Sequence, residues 1–157
     1  MSTAATVAPG SSAMILPATW RDLNAVRAIE AICFPQDGWP LWDIIGVLTL
    51  PNVVRLKAVQ GDRTVGFIAT DLRPAEKMAW IATIAVLPEY RRQGIGTALL
   101  QASEATISLP RIRLNVRVSN ASAIRLYHQL GYRPVGLWPH YYQDREDAQI
   151  LEKELSR

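Results

Sequence analysis

Ile84-Ala85-Val86-Leu87-Pro88-Glu89-Tyr90-Arg91-Arg92-Gln93-Gly94-Ile95-Gly96 is the stretch on which the fold turns. Its first three residues end an apolar run, Trp80 to Val86, suited to a strand buried on both faces. A turn bearing Pro88 follows, and Gly94 opens a helix. Glycines at 94 and 96 let the backbone approach a ligand closely. The first-turn N–H groups of a helix have no helical partner, and the dipole there favours an anion. Arg91 and Arg92 add positive charge, so the stretch is shaped for a pyrophosphate. It is not a Rossmann fingerprint, because the three-glycine spacing and the ribose-binding acid are missing. It is not a P-loop, because no Gly-Lys-Ser/Thr follows. As a bare pattern, an ordinary turn into a helix remains the alternative.

The rest of the chain falls into place on either side. Upstream, Met14-Ile15-Leu16 reads as a short strand closed by Pro17. Thr19 and Asp22 offer N-cap chemistry for a helix running to about Cys33, with Leu23, Val26, Ile29 and Ile32 recurring at helical spacing and Phe34-Pro35 as its stop. Residues 36–40 form a loop, and Leu41 to Leu50 is a second helix ending before Pro51. Val53 to Val59 and Val65 to Leu72 pair as a hairpin across Gly61-Asp62. Downstream, the helix opened by Gly94 has Ile95, Leu99, Ala102 and Thr106 as its inward face. Ile112, Leu114 and Val116 alternate with Arg113, Asn115 and Arg117, as in a strand with two different faces. Asn120 to Leu130 is a helix stopped at Gly131. Arg133 to Leu137 and Gln149 to Leu155 are a final strand pair joined by a long polar-aromatic loop. The order βααβββαβαββ, without repeat or interior linker, is that of one α/β domain.

Composition sets the outer bounds. A chain of 157 residues, 49% hydrophobic, has the length and apolar content of one domain with a real core. Seventeen basic against 14 acidic residues leave a net charge of +3, which permits an anionic ligand and argues against a nucleic-acid partner. No apolar run approaches the ~20 residues of a membrane span, so no membrane is expected. The single cysteine, Cys33, cannot form an internal disulfide or hold zinc alone. No metal is expected, and the cytoplasm is the natural compartment. Residues 1–13, MSTAATVAPGSSA, have no basic residue and no apolar core, so they fit neither a signal nor a transit peptide. They are expected to be a mobile tail before a domain spanning 14–157.

Strand, R-x-x-G-x-G and helix together resemble motif A of the GNAT superfamily of N-acetyltransferases. Val116-Arg117-Val118-Ser119-Asn120-Ala121-Ser122-Ala123-Ile124-Arg125-Leu126-Tyr127 is similar to that family's V-x-x-x-N-x-x-A-x-x-L-Y segment, with Gly131-Tyr132 in place of Gly-Phe. Cys33-Phe34-Pro35 and the run His140-Tyr141-Tyr142-Gln143-Asp144-Arg145-Glu146-Asp147-Ala148 resemble the ribosomal-protein-alanine and protein N-terminal acetyltransferases. The resemblance implies a central mixed, mostly antiparallel sheet of about six to seven strands flanked by about four helices. It also implies acetyl-CoA as cosubstrate. Backbone of Ile84, Ala85 and Val86 would hold the pantetheine and polarise the thioester, as fixed donors aimed at a developing oxyanion do. Arg91, Arg92, Gln93, Gly94, Ile95, Gly96 and Thr97 would cradle the pyrophosphate, and Asn120 and Tyr127 would meet the cofactor arm. Tyr127 is the implied general acid. Phe34, Pro35, Trp39, Tyr141 and Tyr142 would bind the acceptor.

The general base is where this chain departs from the pattern. Relatives carry Glu or His at the position of Asn115, and a second family position falls at Trp80; neither side chain here accepts a proton. A water chain, His140, Asp144 or Glu146 would then serve. An α-amine of pKa ~7.8 is roughly 14% neutral at pH 7, against about 0.04% for a lysine at ~10.4. That advantage of roughly 350-fold favours a protein or peptide N-terminus as acceptor. A small amine is the alternative acceptor, and a non-catalytic acetyl-CoA-binding domain the alternative class. Monomer and homodimer both fit. Trp39 and Trp42 are substrate walls or clamps for the second helix. Cys33 is expected to be a buried, inert thiol, and the arginines at 111, 113, 117, 125 and 133 a mostly solvated face.

Overall fold

A computed structural model describes residues 5–6 and 13–155. The expectation of a mobile tail over residues 1–13 therefore lies outside the described residues, apart from three positions. Ala5–Thr6 (β1) pairs with Met14–Pro17 (β2), and Ala13 is buried. Two compact units are present, Met1–Asp71 with Ala82–Ile107 and Leu72–Ile81 with Ser108–Arg157.

In the first unit β2 pairs antiparallel with Val53–Gln60 (β3), which returns through Gly61-Asp62 into Arg63–Arg73 (β4). Gly61 takes φ +62°, the left-handed conformation such a tight connection uses. Two helices intervene between β2 and β3. Thr19 and Asp22 form a reciprocal capping box: the Thr19 N–H donates to Asp22 Oδ2 at 2.8 Å and the Thr19 hydroxyl accepts from Arg21 N. The box starts one turn of 3₁₀ helix, which leads into Leu23–Cys33 (α1). Leu41–Thr49 (α2) follows and ends before Pro51, as the pre-proline restriction requires. Val26, Ile44 and Leu48 pack with Ala18, Phe67 and Ala69, so both helices cover the hairpin.

The chain then runs through Met78–Val86 (β5) to Ile95–Thr106 (α3). Here the expected inward face needs correction. Ile95 and Leu99 are buried as expected, but their partners are Leu100, Ser103 and Glu104, while Ala102 is half-buried and Thr106 exposed. Ser103 meets Thr70 of β4 through a buried 2.9 Å hydroxyl contact, which satisfies both polar groups. On α1, Ile32 is 52% exposed and Glu30 is buried in its stead. Steps of three fall short of a helical turn, so three of them carry a residue about 180° round the helix from Leu23.

In the second unit the first residues of β5 pair in parallel with Arg111–Arg117 (β6), Ala79 with Ile112 and Trp80 with Arg113. Ala121–Gln129 (α4) leads through Gly131, at φ +99°, to Arg133–Trp138 (β7). The last strand, Ala148–Glu154 (β8), lies between β6 and β7 and is antiparallel to both. Ile112, Leu114 and Val116 form the buried face of β6. Its other face is not the solvated row of arginines expected. Arg113 is paired with Glu152 and stacks on Trp80, and Arg117 holds two acids; both are largely covered. Among the described residues the architecture is thus α/β, with a mixed and mostly antiparallel sheet and four α-helices. Among the described residues no helix is long and apolar enough to cross a membrane, and no cluster of His, Cys, Asp or Glu is arranged for a metal.

Candidate active site

The features expected to meet an anion lie in the first unit. After β5 a short 3₁₀ turn, Pro88–Tyr90, leads into a loop with two left-handed residues, Arg92 at φ +63° and Gly94 at φ +79°. No side chain caps the first turn of α3, so its backbone donors are left for a ligand. Arg91 does not reach away from the protein. Its Nε donates to the carbonyl of Val86 at 3.0 Å and its Nη2 lies 3.7 Å from Cys33 Sγ. Cys33 Sγ also donates to the Val86 carbonyl, at 3.4 Å. Arg91 and Cys33 together therefore fix the end of β5 where Ile84–Val86 would present their backbone. Burial pushes the Cys33 thiol up in pKa, and Arg91 opposes this without overcoming it. The inert thiol expected from the sequence is thus half-buried beside a guanidinium that its neighbours in sequence do not include.

Phe34 packs against Ile29, Ala85 and Leu87, next to the strand residues assigned to the cofactor. With Pro35, Gln36, Trp39 and Glu30 it lines a cleft of about 650 Å³. Trp39 lines this cleft and also packs on the α1–α2 core, whereas Trp42 is 78% exposed. Glu30 is a site residue that the sequence pattern did not single out. It is 3% exposed and its Oε1 accepts from Thr83 Oγ1 at 2.7 Å. Burial pushes its carboxyl above the ordinary value, and the Thr83 hydrogen bond only partly counters that.

Tyr127, Tyr141 and Tyr142 belong to the second unit. Asn120 is the N-cap of α4, its Oδ1 accepting from the Ala123 N–H at 3.3 Å. Tyr127, two turns on, makes an edge contact with the fully buried Tyr132 at 5.8 Å between ring centres. Burial, with the Tyr142 phenol adding to it, pushes the Tyr127 hydroxyl up to about 12. Tyr142 lies under the Arg117 guanidinium at 4.1 Å, and Trp138, Tyr141 and Tyr142 follow one another at 5.1 and 5.0 Å between ring centres. Trp138 went unnoticed in the sequence because it ends a strand outside any motif.

Arg117 closes the loop before β8. Its Nη1 donates to both oxygens of Asp144, at 3.0 and 2.9 Å, and to Glu146 Oε1 at 2.8 Å. Glu146 Oε2 accepts from the Ser119 N–H, and these donors hold its carboxyl below the usual carboxylate range. Asp147 takes the His140 N–H at 2.9 Å, and His140 Nδ1 lies 3.0 Å from the Arg145 carbonyl oxygen. The loop groups considered as bases are thus committed to holding the loop's shape. Glu146, kept ionised by its donors, is a weak proton acceptor.

Residues 23–132 match the model of the acetyltransferase (GNAT) family, and the chain belongs to that family. It is accordingly an N-acetyltransferase that uses acetyl-CoA as its acyl donor. It is 47% identical over 160 aligned residues to an N-alpha-acetyltransferase of Sulfurisphaera tokodaii, covering 93% of this chain and 95% of that one. To the catalytic subunit NAA10 of the N-terminal acetyltransferase A complex of Arabidopsis thaliana it is 30% identical, over 88% of this chain and 76% of the other. Its fold is similar to the crystal structure of the ribosomal-protein-S18-alanine N-acetyltransferase from Escherichia coli. The TM-score is 0.82, the identity 30%, and 92% and 95% of the two chains are covered.

Proposed function

We propose that the enzyme acetylates the α-amine of a protein or peptide N-terminus. The observation that carries this is 47% identity, across nearly the whole chain, to a protein that acts as an N-alpha-acetyltransferase. Chemistry supports it: at pH 7 an α-amine is far more often neutral than a lysine, and neither Asn115 nor the loop acids held by Arg117 supply a strong base. Acetyl-CoA supplies the acetyl group as a thioester. Arg92, Gln93, Gly94, Ile95, Gly96 and Thr97 receive the pyrophosphate, with Arg91 bracing the loop. Backbone of Ile84, Ala85 and Val86 orients the thioester, and Asn120 shapes the start of α4. Tyr127 delivers a proton to the leaving sulfur, for which a phenol that stays protonated far above neutral pH is suited. Phe34, Pro35, Trp39, Tyr141 and Tyr142 hold the acceptor. A lone cysteine with its thiol tied to backbone fits the cytoplasm.

Thiol release from acetyl-CoA at pH 7 tests the acceptor class. The panel is peptides with free N-termini, N-blocked lysine peptides and polyamines. The free N-terminus is expected to react faster than lysine by about two orders of magnitude. Faster turnover of the lysine peptide or a polyamine overturns the proposal. Gly94→Ala tests the anion loop. A Cβ at φ +79° costs about 1–2 kcal/mol, so the melting temperature is expected to fall by several degrees. The Kd for acetyl-CoA, read by calorimetry, is expected to rise about tenfold, one pyrophosphate hydrogen bond's worth.

A further inference from the structure

Glu30 stands where an apolar residue belongs. It lies one helical turn after Val26, on the stripe of α1 that faces inward, and is 3% exposed. Burying a carboxylate is costly unless both oxygens find donors. Oε1 has Thr83 Oγ1 at 2.7 Å, whereas Oε2 is closed off from solvent and has no hydrogen-bond partner among the described residues. A leucine or glutamine here would spare the fold that cost, and such costs are characteristically retained where function needs them. Glu30 also lines the cleft bounded by Phe34, Pro35, Gln36 and Trp39, and Thr83 ties it to β5 one residue before Ile84. A half-satisfied buried carboxylate on the wall of a cleft is a site for a donor that arrives with the ligand.

The acetylation reaction leaves one step without a residue, the removal of a proton from the acceptor. We propose that Glu30 is the proton acceptor, its carboxylate turning toward the cleft to take a proton from the ammonium form of the acceptor amine there. This rests on the N-terminal acetylation proposed above. The α-ammonium gives one proton to Glu30, and the freed nitrogen lone pair attacks the thioester carbonyl carbon. As the C–N bond forms, the C–S bond breaks, and its electron pair leaves on sulfur. The sulfur gains a proton from Tyr127, and the second nitrogen proton, lost as the amide forms, restores the Tyr127 phenol through solvent. The products are the amide, the thiol and one proton, which Glu30 releases to solvent. The charged and titratable groups around Glu30 are Cys33 one turn on, Arg91 beyond that thiol, and Arg27 on the cleft wall. Toward it β5 brings the uncharged Thr83, and α2 brings Leu41 and Ile44 to the cleft.

The test is kcat/KM for an N-terminal peptide between pH 6.5 and 9.5 in wild type and Glu30→Gln, which preserves shape and the Thr83 hydrogen bond. At pH 7 the variant is expected to lose up to about sevenfold, because it must draw on the roughly 14% of the acceptor that is already neutral. By pH 9.5 the acceptor, with a pKa of ~7.8, arrives neutral, and the deficit is expected to vanish. Calorimetry should give an unchanged Kd for acetyl-CoA. The ligand-free variant should melt at or above the wild-type temperature at pH 7. Its advantage should grow as pH rises from 4.5, because the unfolded wild-type chain then sheds its Glu30 proton before the folded one does. A deficit constant across pH marks Glu30 as a mere link between α1 and β5 and overturns the proposal, as does no deficit at all. Failure of the N-terminal proposal shows separately, as wild-type turnover of another amine only. The pH signature is then read on that amine, and its absence there also overturns the role of Glu30.

Discussion

Tyr127→Phe is expected to lower kcat about 10²-fold while leaving the Kd for acetyl-CoA nearly unchanged. The phenyl ring keeps the edge contact with Tyr132 and the cover that α4 needs, so the variant loses a hydroxyl and little packing. General-acid catalysis is typically worth 10²–10⁴-fold, and the low end suits a leaving thiolate, which departs readily even unprotonated. The loss should be flat with pH up to about 10, since a phenol pushed up to about 12 is loaded throughout that range. Stability supplies a second readout with its own sign. The unfolded phenol ionises near pH 10.0 and the folded one near 12, so the wild type loses stability as pH rises through that window. A shift of that size corresponds to about 2–3 kcal/mol, and Tyr127→Phe should abolish that portion of the alkaline loss. Turnover equal to wild type would remove Tyr127 from the chemistry. An alkaline melting curve identical to that of wild type would instead show that its hydroxyl is not buried.

Arg117→Met is expected to damage both acceptor binding and folding. One guanidinium holds Asp144 and Glu146 and covers the face of Tyr142. Methionine replaces much of the aliphatic volume but leaves two carboxylates facing each other without a cation. Charge-assisted hydrogen bonds are worth about 1.5–3 kcal/mol each where buried and less where water competes. Asp144 is half exposed, so water competes with these bonds, and a modestly lower urea midpoint at neutral pH is the expected result. With the loop loosened, KM for the peptide acceptor should rise about tenfold and kcat fall less, since Tyr127 retains its own support. Losing Glu146 protonation control adds a pH signature. Its carboxyl is held low in the wild type, so that contribution to stability is present above the ordinary carboxylate pKa and is lost as pH falls through the folded value. Arg117→Met should therefore be less acid-sensitive than wild type. An unchanged KM would mean that this loop has no part in acceptor binding.

Local signals carried most of the fold. Gly94 announced the start of α3, Thr19 and Asp22 another helix start, and Gly131 a helix stop, and each position has the backbone its chemistry calls for. These are interactions across three or four residues, and such proximity is legible in a string of letters. The errors have physical causes of the opposite kind. Ile32 matched an i+3 rhythm that drifts off the buried face when repeated, while Glu30, which keeps to that face, was passed over because it is charged. Arg117 looked like one member of a solvated row because its partners lie 27 and 29 residues away, across a loop with no regular period. The contacts of Arg91 to Val86 and Cys33 were equally out of reach, because they depend on α1 lying beside the end of β5, which no local pattern encodes. The loop before α3 was legible because it is contiguous, and the Glu30–Thr83 pair was not because it is assembled from two distant elements.

The meeting of Cys33, Arg91 and the Val86 carbonyl has a practical side. The chain's one thiol sits where strand β5 gives way to the anion loop, so a thiol-reactive dye has a single address, and no background cysteine needs to be removed. Its raised pKa and partial cover make it slow to react, and that slowness is itself a gauge of how tightly the loop is closed. Labelling kinetics at this one sulfur can therefore follow the loop's breathing in the native, unmutated enzyme.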